Sequence, residues 1–188
     1  MILVVDHYDS FVYNLVQLVE SFGHETTVVR SDEAGAEELA ERSPTAVILS
    51  PGPGRPEEAG CFTALLEILP DSTPVLGVCL GHQAIGVTCG GTVERTAPVH
   101  GKASLVFHEG KGVLEGLPSP FEAGRYHSLA ALEIPEELVV TARTPDGEVM
   151  GVRHRADATY GVQFHPESVL TPHGRRLIEN FLAMEAGT

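Results

Sequence analysis

Four short runs rich in apolar and β-branched residues, at positions 2–5, 26–29, 46–49 and 75–78, punctuate the first half of the chain, with helix-period segments between them. Such runs suit strands covered on both faces, and strands alternating with helices at this spacing predict a parallel sheet with helices on both sides. Asp9 or Ser10 is the expected cap of the first helix, where Phe11, Leu15, Leu18 and Phe22 recur at helical spacing before Gly23 stops it. Further helices are expected near 36–42, 62–69 and 80–88. Beyond Gly90-Gly91 the texture changes. Segments 103–108, 138–143, 148–154 and 159–164, separated by turn signals such as Pro145-Asp146-Gly147, read as antiparallel strands and hairpins appended to the parallel sheet. A last helix over 173–184 places Leu177, Ile178, Phe181 and Leu182 on one face. No repeat or linker interrupts the pattern, so one mixed α/β domain over 1–188 is expected. A chain of this length buries roughly 70% of the surface its unfolded form exposes, which is core enough to hold a site rigidly.

Charge narrows the partners. The chain carries 26 acidic against 12 basic residues, a formal charge of −14, and such a surface repels phosphate backbones and anionic lipids. No nucleic-acid or membrane partner is therefore expected. The acidity is uneven, with 14 acidic and 3 basic residues in 1–94 but 12 and 9 in 95–188; both lysines, Lys102 and Lys111, lie in the less acidic half. Three cysteines, Cys61, Cys79 and Cys89, form no CxxC pair, which argues against a disulfide scaffold or a Cys-rich zinc site. The N-terminus lacks a basic leader and no apolar run reaches membrane-spanning length, so the cytoplasm is the expected location.

Chemistry concentrates in three motifs. Gly77-Val78-Cys79-Leu80-Gly81 puts a cysteine where a buried strand meets a helix, with glycine two residues away on either side. That is the pattern of a nucleophile elbow, in which a sharp turn pushes the side chain out at the carboxyl end of the sheet. The helix N-terminus favours thiolate and offers the Leu80 amide to a developing oxyanion. Cys61 and Cys89, within helical segments, read as buried structural cysteines. A thiolate needs a proton carrier. In Gln163-Phe164-His165-Pro166-Glu167 the proline biases His165 towards an extended conformation, so His165 and Glu167 project to one side as base and orienting carboxylate. The H-x-E pattern also opens a zinc deaminase signature, but no P-C-x-x-C follows, so no metal site is expected. Ser50-Pro51-Gly52-Pro53-Gly54, after the third strand, is neither a phosphate loop nor a dinucleotide fingerprint. Its place one strand from the elbow suggests a second oxyanion donor.

Taken together, SPGPG, GVCLGHQ and FHPES, in this order and spacing, resemble the class I (triad) glutamine amidotransferases over essentially the whole chain. The resemblance implies a mostly parallel open sheet with a flavodoxin-like core and helices on both faces, plus antiparallel hairpin strands. It also implies a Cys79–His165–Glu167 triad and an oxyanion hole from the Gly52 and Leu80 amides. Gly52, Pro53, Gly54, Gln83, Ser128 and Leu129 are implied to hold L-glutamine; His82 is not expected to be catalytic. Asp6-His7-Tyr8-Asp9-Ser10-Phe11 with Asn14, His100-Gly101-Lys102 and Arg125-Tyr126-His127-Ser128-Leu129 resemble the glutaminase subunits of chorismate-using synthases. These serve anthranilate synthesis, as component II, or aminodeoxychorismate synthesis. His7 stands where that group has asparagine, and Val12 and Val99 also depart from it. The implied partner is a chorismate-using synthase subunit, contacted near His100, Gly101 and Lys102, and Mg²⁺ is expected only on that partner, with no cofactor in this chain. Three readings compete, a GMP synthase acceptor, a catalytically silent regulatory subunit and a stand-alone thiol hydrolase; the intact triad argues against the second, and strong glutaminase turnover without a partner would mark the third.

Overall fold

A computed structural model describes residues 1–185. Strands β1 (Ile2–Asp6), β2 (Thr26–Arg30), β3 (Ala46–Leu49) and β4 (Val75–Val78) alternate with helices α1 (Val12–Glu20), α2 (Ala36–Glu41), α3 (Phe62–Ile68) and α4 (Leu80–Thr88). The remaining strands are β5 (Thr92–Arg95), β6 (Lys102–His108), β7 (Phe121–Arg125), β8 (Leu129–Glu133), β9 (Leu138–Arg143), β10 (Val149–His154) and β11 (Thr159–Val162), followed by α5 (Gly174–Glu185). Nine strands form one sheet in the order β2-β1-β3-β4-β11-β10-β9-β6-β7, while β5 and β8 pair separately. From β2 to β11 neighbours run parallel, and from β11 to β7 antiparallel. The parallel part has the 2-1-3-4 order of flavodoxin-like sheets, with β11 as its fifth strand.

Alternation along β1 divides the core. Ile2 and Val4 pack with Val12, Leu15, Val16 and Val19 of α1 and with Leu177, Ile178 and Phe181 of α5 on one face. Leu3 and Val5 pack with Leu39, Phe62, Leu65 and Ala84 of α2, α3 and α4 on the other. Burial on both sides is what the unbroken apolar runs demand.

Several expectations are corrected in detail. Phe11, not Asp9 or Ser10, precedes α1 and supplies no side-chain cap; it is 60% exposed, and the buried stripe is Val12, Leu15, Val16 and Val19. Asp6 Oδ1 accepts the Asp9 amide at 3.0 Å, a local turn that competes with capping. Cys61 and Cys89 flank α3 and α4 rather than lying inside them. Residues 159–162 do pair antiparallel with β10, but they also pair parallel with β4. Strands β5, β7 and β8 were not expected, because their short mixed sequences carry no clear alternation.

His82, on α4, is 1% exposed, and a methyl on Gly161 would lie 2.7 Å from its Nδ1. Burial, then the nearby His127, push its pKa from 6.5 down to about 4. The neutral ring therefore contributes stability that is complete above pH 6.5 and lost as pH falls towards 4, on the order of 3 kcal/mol. Urea unfolding across that range is expected to show His82→Gln losing less stability on acidification than the parent; equal losses would contradict it.

Candidate active site

Cys79 occupies the joint between β4 and α4 with φ 53° and ψ −98°, a left-handed conformation that costs a non-glycine residue energy and marks functional turns. Both flanking glycines are required by close backbone approach. A methyl on Gly77 would lie 2.5 Å from the Gly81 backbone, and one on Gly81 would overlap the Leu49 carbonyl of β3. The strand, turn and helix can close this tightly only without those side chains. Leu80 begins α4, so its N–H has no intrahelical acceptor. A methyl on Gly52 would lie 3.1 Å from Leu80 Cδ2 and would overlap the His7 carbonyl, so the Gly52 loop sits directly against the elbow. His7, the departure from the synthase pattern, donates its N–H to Ser50 Oγ at 2.9 Å, and its ring meets Ser31 Oγ at 2.7 Å.

His165 follows β11, the sheet neighbour of β4. Its N–H donates to the Gly124 carbonyl at 3.0 Å, and Thr171 Oγ1 donates to the His165 carbonyl at 2.7 Å while accepting the Gly124 amide. With the backbone so fixed, Nδ1 meets Glu167 Oε1 at 2.6 Å, and the Tyr126 ring packs edge-on against the imidazole at 5.0 Å between centroids. Nε2 is buried without a hydrogen-bond partner, and the Cys79 sulfur is one of the groups that stabilise the charged ring. Burial opposes the imidazolium, but the Cys79 sulfur and the Glu167 carboxylate outweigh it and raise the His165 pKa from 6.5 to about 10. The charged ring thus contributes stability that is complete below pH 6.5 and lost as pH rises through about 10. Cys79→Ala is expected to lower the His165 titration midpoint, followed by ring ¹⁵N NMR; an unchanged midpoint would refute the sulfur–imidazole contact.

These groups open into a cavity of about 620 Å³ at the carboxyl ends of β1, β3, β4 and β11, lined by Cys79, His165, Glu167, Pro51, Gly52 and Pro53 among others. Asp9, Phe11, Asn14, Tyr126, Ser168 and Val169 complete much of its wall. The spacing of Asp9 suggested a cap instead; it is a pocket carboxyl, pushed to higher pKa first by burial and further by the charge of Glu167. Gly54, Gln83, Ser128 and Leu129 lie outside this lining. Gln83 is buried, and its Nε2 donates to the Leu129 carbonyl at 2.9 Å and to Gln163 Oε1 at 3.1 Å, so only Oε1 is left for a ligand. The Ser128 carbonyl accepts the Thr96 amide. His100, Gly101 and Lys102 are all exposed, and a methyl on Gly101 would lie 3.5 Å from Tyr126 Cε1, beside the cavity mouth. Among the described residues no three His, Cys, Asp or Glu side chains are grouped to share a metal ion, and no helix is long and apolar enough to cross a membrane.

A buried cysteine at an elbow, with a histidine–carboxylate pair beside it, is the arrangement of a thiol-dependent acyl-transfer enzyme. The chain belongs to the glutamine amidotransferase class-I family, whose model matches residues 3–184. It is 52% identical over 186 residues to anthranilate synthase component 2 of Thermus thermophilus, covering 96% of this chain and 91% of that protein. It is also 48% identical over 189 residues to the bifunctional protein TrpGD of Thermotoga maritima, covering 98% of this chain but 32% of the longer protein. The crystal structure of a Thermoplasma acidophilum protein named for a GMP synthase subunit superposes with a TM-score of 0.89 at 26% identity, covering 99% of this chain and 94% of that one. The chain is accordingly an enzyme of the glutamine amidotransferase type with that family's fold.

Proposed function

We propose that the chain is the glutaminase subunit of a chorismate-using synthase, with anthranilate, on the way to tryptophan, as the product its relatives' names favour. In this reading the Cys79 thiolate attacks the side-chain carbonyl carbon of L-glutamine, forming a C–S bond. The carbonyl electron pair moves onto an oxyanion held by the Gly52 and Leu80 amides. His165 gives its proton to the departing nitrogen, ammonia leaves, and a γ-glutamyl thioester remains. Water then attacks as His165 takes its proton; the C–S bond breaks, sulfur regains the electron pair, and glutamate departs. Glu167, bonded to Nδ1, keeps Nε2 turned towards the sulfur. This scheme calls for no cofactor in the chain, and Mg²⁺ is assigned to the synthase partner.

One observation carries the reading: Cys79, at a strained strand-to-helix joint, shares a cavity with the hydrogen-bonded His165–Glu167 pair. The mouth exposes Phe11, Tyr126 and Val169, the last 95% exposed, and apolar groups gathered around an opening favour a partner that covers it. Lys102, close by, gives an acidic protein local positive charge at the edge of that contact. Mixing the chain with candidate chorismate-binding subunits, and with the ATP-dependent component of a GMP synthase for control, tests the assignment. Glutamine-dependent anthranilate formation is expected. Aminodeoxychorismate or GMP alone would move the acceptor, and fast glutaminase turnover without any partner would replace the reading with a stand-alone hydrolase.

A further inference from the structure

Resting on that reading of Cys79 as the nucleophile, we propose that Gln163 is a further catalytic residue, its side-chain amide donating a hydrogen bond to the reacting sulfur. Gln163 is fully buried directly after β11, and its Nε2 lies 3.5 Å from Cys79 Sγ. The direction of that bond is fixed by a chain of groups with no alternative polarity. Arg125 Nε can only donate, and it bonds His127 Nε2 at 3.1 Å; His127 therefore carries its proton on Nδ1, which donates to the Leu129 carbonyl at 2.8 Å. That carbonyl can only accept, so the Gln83 group facing it must be the NH₂. The second Gln83 N–H is then aimed at Gln163, which must answer with Oε1 and leave its own NH₂ against the sulfur. Arg125 is itself anchored by a part-buried ion pair with Glu148 and by Ser104 Oγ at 3.2 Å.

Sulfur accepts hydrogen bonds weakly when neutral and far better when charged. The Gln163 N–H therefore acts most strongly at two moments: before attack, when the thiolate is free, and in hydrolysis, when the breaking C–S bond returns its electron pair to sulfur. His165 supplies a mobile proton; Gln163 supplies a fixed dipole that does not titrate, set in place before the reaction begins.

Gln163→Met keeps the length of the side chain and removes the donor. In the assembled synthase the variant is expected to lower kcat for glutamine-dependent synthesis roughly ten- to hundredfold, the scale of one hydrogen bond to a charged group, with KM for glutamine little changed. The pH profile for alkylation of Cys79 by iodoacetamide is expected to move to higher pH. Gln83→Met, which frees the orientation of Gln163, should give a smaller displacement of the same sign. A fall in kcat with an unmoved alkylation profile would make Gln163 merely structural and overturn the proposal. Should Gln163→Met not fold, protein labelled with ¹⁵N-glutamine decides: the Gln163 Nε2 protons should move upfield in Cys79→Ala while those of Gln83 stay in place, and stationary Gln163 protons would overturn it. Glutamine-dependent activity surviving in Cys79→Ala would remove the nucleophile assignment itself. A dead Cys79→Ala beside a Gln163→Met with parental kcat and alkylation profile would remove only the role given to Gln163.

Discussion

Cys79→Ala is expected to abolish glutamine-dependent synthesis by the assembled complex, by about 10⁴-fold or more, while ammonia-dependent synthesis continues at the parental rate. The size of the loss follows from covalency. Without sulfur no thioester forms, and neither the oxyanion donors nor His165 can substitute for the missing C–S bond. Parental ammonia-dependent activity reports that the synthase partner remains active, and co-elution of the two subunits on gel filtration reports that they remain docked; the two readouts together separate lost chemistry from lost assembly. The rate of product formation from glutamine and from ammonium salts, measured on one preparation, is the check. Residual glutamine-dependent activity within tenfold of the parent would refute the nucleophile.

Gly81→Ala is expected to damage the protein severely although it adds one methyl group. That methyl would overlap the Leu49 carbonyl and lie 2.7 Å from Leu49 Cβ; no rotamer relieves a clash with backbone, so α4 must move away from β3. The cost is about 3 kcal/mol or more in urea unfolding. In the fraction that folds, displacement of the elbow from the Gly52 loop by about 1 Å lowers turnover roughly a hundredfold. Gly86→Ala in the same helix is the control, since nothing lies within 4 Å of its added methyl. There the better helix former should be neutral or stabilising by up to about 1 kcal/mol. Equal destabilisation at the two positions would contradict the packing account.

The parallel half of the fold was legible because strands buried on both faces write their burial into consecutive residues, as in Ile2, Leu3, Val4 and Val5. The start of α1 was less so. Phe11 fits the helical spacing of Leu15 and Leu18, yet it precedes the helix and lines the cavity, and period alone cannot distinguish the two. In the second half, strand neighbours are chosen by long-range pairing, so the parallel contact of β11 with β4 left no local trace. At the site, paired glycines made the Cys79 elbow readable, because the sequence pattern is confined to five residues even though the methyl that Gly81 excludes would meet Leu49 of β3. Gln163 was visible only as the neighbour of His165, since its partners Cys79 and Gln83 are 84 and 80 positions away. The carboxyl of Asp9 had a plausible nearby task in capping that masked its place in the pocket.

The docking of β11 against β4 also sets an order of events during folding. Cys79 and the segment bearing Gln163 and His165 come together only when a pairing across 84 residues has closed, and contacts of such sequence separation are among the slower ones to form. Until then, in the mechanism proposed above, the thiol lacks both its base and its hydrogen-bond donor. On that mechanism, activation of the sulfur would wait on near-complete tertiary structure, and the unfinished chain would carry an ordinary thiol.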